Sequence, residues 1–326
     1  MNLLLPLKFK PIFKDKIWGG NKIQSDLHYN FDPLPNCGEA WMISGIEGFE
    51  SVVSEGPLAD NTLSELIEVF MGELVGEKVY EQFENEFPLL IKFLDTSQWL
   101  SIQVHPDDEL AKLRGYERGK TEMWYILNAD KDAKLISGFK SKISKAEYVQ
   151  KLENNTLKEV LNFENVKKGE AFYLPSGRIH AIGPGILLAE IQQSSDITYR
   201  IYDWERLDAN GNSRELHIDD ALDAIDFDLY DKYKLEFPSI ENETVSIIDE
   251  KYFSTNLMHF HKAVTKDYEE IDSFIIYIIT EGSMKMVYEG GEMDLGTGDV
   301  VLLPAIMNKV NIFPTPFINL LEVYIK

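Results

Sequence analysis

Four residues in three separate segments of the chain are of types that bind divalent metal ions. Gln103 and His105 lie two apart in a stretch that alternates apolar and polar side chains, so both are expected on one face of a strand. Glu122 begins a second strand-like run, and His180 follows a Pro-Ser-Gly turn between two further runs. Two imidazoles, a carboxylate and an amide oxygen suit a borderline divalent ion, with positions left for substrate oxygens. The four residues therefore predict metal-assisted chemistry on an oxygen-rich substrate.

Other charged residues accompany these candidate ligands. Lys120 precedes Glu122 by two residues, so its ammonium is expected on the same strand face as the carboxylate. Asp196 and Arg200 lie four apart in a run that indicates a loop entering a strand, and Lys140 is a further candidate for contact with an anion. The alternatives are a solvated lysine for Lys120, a surface ion pair for Asp196 and Arg200, and plain solvent exposure for Lys140.

A single histidine is more often structural than metal-binding. His105 and His180 are predicted to bind metal only because Gln103 and Glu122 accompany them. A second pair, His259 and His261, also shares one face of a predicted strand. No carboxylate or histidine follows this pair at the spacing of Glu122 and His180. We therefore predict one ion per chain and none at the second pair.

Composition limits the class of protein. The 326 residues are enough for two domains, and a hydrophobic content of 44% with 12% aromatic residues favours packed cores. The net charge of -23 argues against nucleic acid and anionic membrane as partners, because both would be repelled. An anionic substrate would need local lysine and arginine, which is feasible because charges beyond about 8–10 Å are largely screened at physiological salt.

The chain has one cysteine, Cys37, so no intrachain disulfide can form and a reducing compartment is favoured. The apolar run in residues 1–8 has no basic region before it and no small-residue cleavage site, and no stretch approaches the roughly 18 apolar residues of a membrane span. These features predict a cytoplasmic protein.

Strand-like runs separated by turn residues dominate the chain and predict a mainly β protein. The runs lie at 40–44, 89–94, 99–104, 123–127, 171–174, 187–192 and 197–202. Helical patterns over 62–83, 144–161 and 219–224 predict inserts in or beside the amino-terminal part. The pattern breaks near residue 238, which predicts a domain of residues 1–238 and a second domain of 239–326.

The second part repeats the first. Residues 168–175 match 297–304 position by position, and residues 124–127 match 276–279. A strand, a turn, a strand and then Gly-acid-apolar-apolar-apolar-Leu-Pro is typical of a small antiparallel barrel of the cupin or jelly-roll kind. In these registers Glu122 corresponds to Phe274 and His180 to Lys309. The pattern therefore predicts two cupin barrels, of which the second lacks two of the ligands.

Longer motifs around these residues resemble those of a known enzyme family. They are SIQVHPD at 101–107, KTEMW at 120–124, LPSGxxHAIGPG at 174–185, EIQQSSDxTYRxYDW at 190–204 and WGG at 18–20. Together they resemble type I mannose-6-phosphate isomerases, also called phosphomannose isomerases. The likeness covers most of the chain and is greatest to the compact bacterial branch.

The resemblance implies a cytoplasmic zinc enzyme of carbohydrate metabolism, in the cupin superfamily, that interconverts mannose 6-phosphate and fructose 6-phosphate. The motif positions imply one Zn²⁺ per chain. By the same resemblance, the zinc ligands are Gln103, His105, Glu122 and His180. Arg200 is the catalytic residue, and Ser101 and Lys120 are near the substrate. Larger members of the family have a histidine immediately before the lysine, whereas this chain has Gly119.

An aldose–ketose isomerase moves a proton between C1 and C2 through an enediol. Arg200 would stabilise the developing negative charge, and a general base with a pKa not far from neutrality must reach the C2 proton. Asp196, Glu190 and Lys120 are the candidates for the base. The substrate phosphate would need contacts from a set that comprises Ser101, Lys120, Lys140 and Arg200.

Two other functions remain open. Two histidines and a carboxylate also suit the non-haem iron of a cupin oxygenase, although Gln103 and the neighbouring cations count against it. The chain could instead be a non-catalytic sugar-binding cupin in which the metal is structural or absent. Its oligomeric state is left open by the sequence.

Overall fold

The computed structural model describes residues 4–207 and 211–326. Within these ranges the chain forms three antiparallel sheets with short helices, so the mainly β prediction is confirmed. No helix in this part of the chain is long and apolar enough to cross a membrane. The first three residues of the apolar amino-terminal run lie outside the described residues.

The strands, in chain order, are β1 (Ile12–Lys14), β2 (Glu39–Ile43), β3 (Leu89–Thr96), β4 (Ile102–Val104), β5 (Glu122–Ala129), β6 (Lys134–Phe139), β7 (Leu161–Asn165), β8 (Ala171–Leu174), β9 (His180–Ile182), β10 (Ile186–Gln193), β11 (Tyr199–Tyr202), β12 (Glu243–Asp249), β13 (Ser254–Phe260), β14 (Val264–Asp267), β15 (Ile275–Tyr288), β16 (Gly291–Gly296), β17 (Val300–Leu303) and β18 (Lys309–Tyr324). The helices are α1 (Lys22–Ser25), α2 (Leu63–Phe70), α3 (Gly72–Val75), α4 (Glu77–Phe83), α5 (Asp108–Leu113), α6 (Lys145–Glu153) and α7 (Ile218–Ala224), with a 3₁₀ turn at Leu157–Glu159.

The strands pair in three sheets. The six-stranded sheet has the order β1-β2-β3-β10-β5-β8, and the five-stranded sheet has the order β11-β4-β9-β6-β7. The seven-stranded sheet runs β12-β13-β18-β15-β16, with β14 paired to β18 and β17 paired to β15. Side chains from the six-stranded and five-stranded sheets share one buried cluster, so these two sheets face each other.

Strand β10 is buried along its whole length because both of its faces are covered. Ala189 and Ile191 pack in a cluster with Ile276 and Ile278 of the seven-stranded sheet. Leu188 and Glu190, which alternate with them, face the space between the six-stranded and five-stranded sheets. Strand alternation therefore gives β10 an apolar face towards the seven-stranded sheet and a face with polar groups towards the five-stranded sheet.

The amino-terminal segment contacts the seven-stranded sheet. Leu7 and Leu302 exchange two backbone hydrogen bonds of 2.8 and 2.9 Å, and Leu4 and Leu7 lie in the same buried cluster as Ile276. This contact crosses the predicted division at residue 238. The division into 1–238 and 239–326 stays a prediction.

The helical insert predicted over 62–83 is confirmed, but the structure divides it into three helices, α2, α3 and α4. Thr62 caps α2 with a complete capping box, as the helical pattern requires. The backbone then turns at Met71 and Gly76, which have φ of 48° and 99°. A Cβ on Gly76 would lie 2.4 Å from the carbonyl oxygen of Asp272, so the close approach of a distant segment requires glycine.

The helix predicted over 144–161 ends early. Ser144 caps α6 by accepting a hydrogen bond from the Glu147 amide, but the helix stops at Glu153. Leu161 already belongs to β7, where pairing with β6 outweighs the local helical pattern. The third helix is confirmed as α7, and α5 was not predicted.

The predicted repeat is present but its strand register was wrong by one residue. Ile126 bonds to the Gly169–Glu170 turn through both of its backbone groups, and Ile279 bonds in the same way to Gly298 and Asp299. Ile126 therefore corresponds to Ile279 rather than to Ile278. By the same shift the counterpart of Glu122 is Ile275, a buried side chain inside the seven-stranded sheet, and not Phe274.

Candidate active site

The four predicted ligand residues converge between the six-stranded and five-stranded sheets. Gln103 of β4 and His180 of β9 are register partners, and His105 follows one residue after β4. Glu122 begins β5 in the opposite sheet. One ligand atom each from His105, Glu122 and His180 lie within 4.8 Å of one another, the one such group among the described residues. Both sheets therefore supply side chains to a single point.

Hydrogen bonds orient both imidazoles towards that point. Nδ1 of His105 donates to the Ile197 carbonyl and Nδ1 of His180 donates to the Arg178 carbonyl, each at 2.8 Å. The lone pair of each ring is therefore on Nε2. Burial lowers the pKa of His180 to about 4, and burial together with the charge of Lys120 lowers the pKa of His105 well below its ordinary value. Both rings are therefore neutral at pH 7, the form that binds metal.

Glu122 is fully buried, yet neither of its carboxylate oxygens accepts a hydrogen bond of good geometry from a described residue. The nearest cationic group is Lys120 Nζ at 3.1 Å, and Nε2 of His180 and of His105 lie at 3.3 and 3.6 Å. Burial raises the pKa of Glu122, against the opposing charge of Lys120. A buried carboxylate beside two inward lone pairs is a donor set that fits a divalent ion.

Gln103 completes this group. Its amide nitrogen is 3.3 Å from His180 Nε2, and its oxygen accepts a hydrogen bond from the Ser101 hydroxyl at 3.1 Å. A half-turn of the amide would present the oxygen to an ion. Ser101 is itself buried and lies beside Gln103, at the edge of a cavity.

Lys120 lies before the first residue of β5, but its side chain does reach Glu122. The ammonium is buried and lies 3.1 Å from Glu122 and 3.4 Å from His105 Nε2. Burial alone would lower its pKa, but the carboxylates of Glu122 and Glu190 outweigh burial and raise it. Lys120 is therefore a buried cation beside the ligand group, and the alternative of a solvated lysine is wrong.

Glu190 is held by two partners. It accepts a hydrogen bond of 2.9 Å from the indole of Trp124, and Lys92 Nζ lies 3.4 Å away. Burial opposes its ionisation, but the charges of Lys120 and Lys92 hold its pKa below the ordinary value. The Trp124 ring in turn meets the His180 ring edge-on, with 5.3 Å between centroids. Glu190 is thus an ionised, paired group.

Arg200 of β11 is the register partner of Gln103, so the two residues are neighbours across the strand pair. Its guanidinium donates to the Glu215 carbonyl at 2.9 Å, whereas its Nε is buried and has no acceptor among the described residues. Every other lysine or arginine that lines the cavity has a described carboxylate within 4 Å. Arg200 is the one cavity cation without such a partner in the described ranges, so the alternative of a surface ion pair between Arg200 and Asp196 is wrong.

A cavity of about 960 Å³ opens beside the ligand group, where Gln103, Lys120 and His180 line it. Seven lysines and arginines and seven carboxylates line it, so its local charge is balanced although the whole chain carries -23. Exposed Asp196 is on its wall. Lys140 is exposed after the end of β6 and is not among the lining residues, so the structure does not bring this predicted anion contact to the site.

Gly119 has no room for a side chain. A Cβ there would lie 2.5 Å from the Asp107 carbonyl carbon and 2.6 Å from the Pro106 oxygen. The Gly119 amide donates to the Asp108 carboxylate at 3.0 Å. The histidine of larger family members therefore has no counterpart here, because the backbone before Lys120 packs directly on the turn after β4.

Several lining residues were not predicted. They are Lys16, Glu39, Lys92, Arg114, Arg118, Arg214 and His217. Lys92 had a visible signal, since it is the one charged residue in the apolar run 89–94. The arginines and His217 had none, because loops distant in sequence bring them to the cavity.

A β protein with two inward imidazoles and a carboxylate between facing sheets is a metal-binding protein of the cupin kind. Comparisons with known proteins agree. Residues 6–132 match the catalytic domain of type I phosphomannose isomerase. The chain is 38% identical to the mannose-6-phosphate isomerase ManA of Bacillus subtilis, over 92% of this chain and 93% of that protein. It is 34% identical to the mannose-6-phosphate isomerase of Streptococcus mutans, over 92% of each.

The crystal structure of the Bacillus subtilis mannose 6-phosphate isomerase superposes with a TM-score of 0.88 at 35% identity, covering 98% of this chain and 99% of that one. A putative mannosephosphate isomerase from Archaeoglobus fulgidus, 21% identical, shares the fold with a TM-score of 0.80 over 99% of each chain. The chain belongs to the type I phosphomannose isomerase family.

Proposed function

We propose that this protein interconverts mannose 6-phosphate and fructose 6-phosphate as a zinc-dependent aldose–ketose isomerase. The observation that carries the proposal is the buried Glu122 carboxylate, which has no hydrogen-bond donor of good geometry among the described residues and faces two neutral imidazoles beside a polar cavity. Relatives that match over more than nine-tenths of the chain are named mannose-6-phosphate isomerases, which supports the same substrate.

One Zn²⁺ would be held by Gln103, His105, Glu122 and His180. Nitrogen and carboxylate ligands with one amide oxygen suit zinc, and the histidines are fixed in the neutral, metal-binding tautomer. When bound, the ion would supply Lewis acidity at the substrate oxygens on C1 and C2.

Arg200 would stabilise the negative charge that develops on the enediol. Its guanidinium has no carboxylate partner among the described residues and lines the cavity, so it can meet substrate without first breaking an ion pair. Lys120, held in its charged form by Glu122, would hydrogen-bond a substrate oxygen beside the ligand group. Ser101 would contact the same end of the substrate, since it lies against Gln103.

Asp196 is the best candidate for the general base. It lies on the cavity wall and has no hydrogen bond or ion pair with a described residue. Glu190 is tied to Trp124 and Lys92 and its pKa is lowered, which makes it a weaker base. Lys120 has a raised pKa and would rarely be neutral at pH 7.

We also propose that the enzyme works in the cytoplasm on a small sugar phosphate, and that the seven-stranded sheet and its neighbours form a second, metal-free cupin domain over residues 239–326. The supporting observations are the single buried Cys37 and the counterpart of Glu122, which is the apolar Ile275.

Metal analysis combined with a coupled assay on mannose 6-phosphate tests the proposal. Zinc-loaded native protein should turn over mannose 6-phosphate, and Glu122→Gln should lose both metal and turnover. Arg118→Lys, at a cavity residue paired with Glu86, serves as the control for general damage. Iron-dependent oxygen consumption would indicate a cupin oxygenase instead. Tight sugar-phosphate binding without turnover would indicate a non-catalytic cupin.

A further inference from the structure

His217 lies against the backbone of Arg200. Its amide donates to the Arg200 carbonyl at 2.7 Å, and its Nδ1 accepts a hydrogen bond from the Arg200 amide at 3.2 Å. Because Nδ1 is an acceptor, the ring proton is on Nε2. His217 lines the cavity, and no described residue accepts a hydrogen bond from Nε2. The ring therefore offers one unused N–H donor to the cavity.

The segment that carries His217 is firmly attached. Arg214 donates to the Asp203 carboxylate through Nε at 2.7 Å, and Arg206 also pairs with Asp203. Arg206 donates in addition to the Trp99 carbonyl at 2.6 Å, which joins the segment to the start of β4. The donor on His217 is thus held by two hydrogen bonds to the Arg200 backbone and by the pairing of Arg206 and Arg214 with Asp203.

The position of His217 relative to the candidate ligands suggests its role. Gln103 is on β4, Arg200 is beside it on β11, and His217 is bonded to the far side of Arg200. With neighbouring strands about 4.8 Å apart, His217 is about 10 Å from the Gln103 backbone. The open-chain form of a hexose 6-phosphate has its reacting carbons at one end and its phosphate at the other.

We propose that His217 binds the phosphate of the substrate through Nε2–H, at the end of the cavity away from the ligand group. The inference rests on the proposed function, because it assumes that the reacting carbons lie beside Gln103 and Glu122. Arg214 lies three residues before His217 and lines the same cavity, and its positive charge favours an anion there. Lys140, the sequence-predicted anion contact, lies elsewhere, and this site takes its place.

Two substitutions separate phosphate binding from the positioning of Arg200. In His217→Asn the amide reaches where Nδ1 was, so the Arg200 N–H keeps an acceptor while the Nε2 donor is lost. In His217→Gln the amide reaches where Nε2 was, so the donor is kept while the acceptor for Arg200 is lost. His261→Asn changes an exposed histidine of the seven-stranded sheet and is the matched control.

The probe is mannitol 6-phosphate, with mannitol as its phosphate-free reference, and binding to zinc-loaded protein is measured by calorimetry. His217→Asn should raise the Kd for mannitol 6-phosphate roughly ten- to hundredfold, the effect of losing a hydrogen bond to a charged group. His217→Gln should stay within about threefold of native and lose mainly kcat, since Arg200 is then less well placed. Equal weakening by both variants, or normal binding by His217→Asn, would overturn the inference.

The binding measurement does not depend on turnover. Native protein that binds mannitol 6-phosphate but fails to isomerise mannose 6-phosphate would contradict the proposed function and leave the phosphate site standing. Native protein that binds mannitol 6-phosphate no better than mannitol would overturn the phosphate site, whatever the isomerase assay gives.

Discussion

Glu190 and Glu322 occupy equivalent positions in the two halves of the chain. Each is a buried carboxylate on a central strand, opposite an aromatic residue on one side and a hydrogen-bonding residue on the other. The register partners are Trp124 and Lys92 for Glu190, and Tyr277 and Asn256 for Glu322. The second half has therefore kept a buried carboxylate while Ile275 stands where Glu122 would be.

The two carboxylates differ in how they are neutralised. Glu322 accepts hydrogen bonds from Tyr268 at 2.5 Å and Asn256 at 2.7 Å and pairs with Lys266 at 2.9 Å, so it is saturated. Among the described residues, Glu190 has only a hydrogen bond from Trp124 and the longer contact with Lys92. Its ionised state therefore depends on the cations around the cavity.

This dependence predicts that Lys92→Met destabilises the fold. Removing the lysine leaves Glu190 buried with one hydrogen bond, and an uncompensated buried charge costs about 3–5 kcal/mol. The double variant Lys92→Met/Glu190→Gln should lose clearly less unfolding free energy than Lys92→Met alone, because neither buried charge remains. Urea unfolding of the four proteins in the double-mutant cycle measures the coupling. Additive losses would mean that the pair does not interact.

Metal content should be one zinc per chain, and His180→Ala should lose it. The imidazole of His180 is buried and fixed by the Arg178 carbonyl, so no other side chain can replace it. Elemental analysis after removal of free metal by gel filtration gives the ratio. A second equivalent that persists in His180→Ala would place an ion elsewhere, with His259 and His261, whose Nε2 atoms are 2.9 Å apart, as the first place to look.

Arg200→Ala should lower kcat by roughly 10²–10³ with a smaller change in KM, the scale expected when an electrostatic donor to the transition state is removed. Steady-state kinetics on mannose 6-phosphate measures both constants. Arg114→Lys, which changes a lining residue already paired with Asp223, is the control. A loss confined to KM would assign Arg200 to ground-state binding.

Lys120→Met keeps the length of the side chain and removes its charge. We expect a large loss of kcat/KM, because the ammonium lies beside Glu122 where substrate oxygens would bind. Zinc content should not fall, since the lost charge repels a cation. Normal turnover in this variant would show that Lys120 only balances the charge of Glu122.

Asp95, which lies outside the candidate active site, should make the stability of the protein depend on pH. Burial raises its pKa from 3.8 to about 6, against the hydrogen bond from the Lys22 amide. Folding therefore favours the protonated form, and its contribution to stability is lost as pH rises from about 4 through 6. Relative to native protein, the free energy of unfolding of Asp95→Asn should rise by about 2–3 kcal/mol between pH 4 and pH 7.

Urea unfolding at several pH values measures this gain. Asp130→Asn, which changes the exposed partner of Lys22, is the control and should show no comparable pH dependence. A constant difference between Asp95→Asn and native protein across the range would contradict the shifted pKa.

Local pattern was enough to predict most of the strands and the ligand group. Alternation placed Gln103 and His105 on one face, and apolar runs located β3, β5, β8 and β10 to within two residues, because both signals depend on residues that are neighbours along the strand. Spacing and charge also singled out Lys120 and Arg200, and the resemblance to a known family added the catalytic role expected of Arg200.

Tertiary contacts decided the rest. The break at Gly76 depends on Asp272, and the strand after Glu153 depends on pairing with β6. The counterpart of Glu122 moved by one residue because register is set by hydrogen bonds across strands, and similar apolar letters do not distinguish adjacent registers. Lys140 was a predicted anion contact, but His217 is the residue that lines the cavity, because only the folded loops determine which side chains reach it.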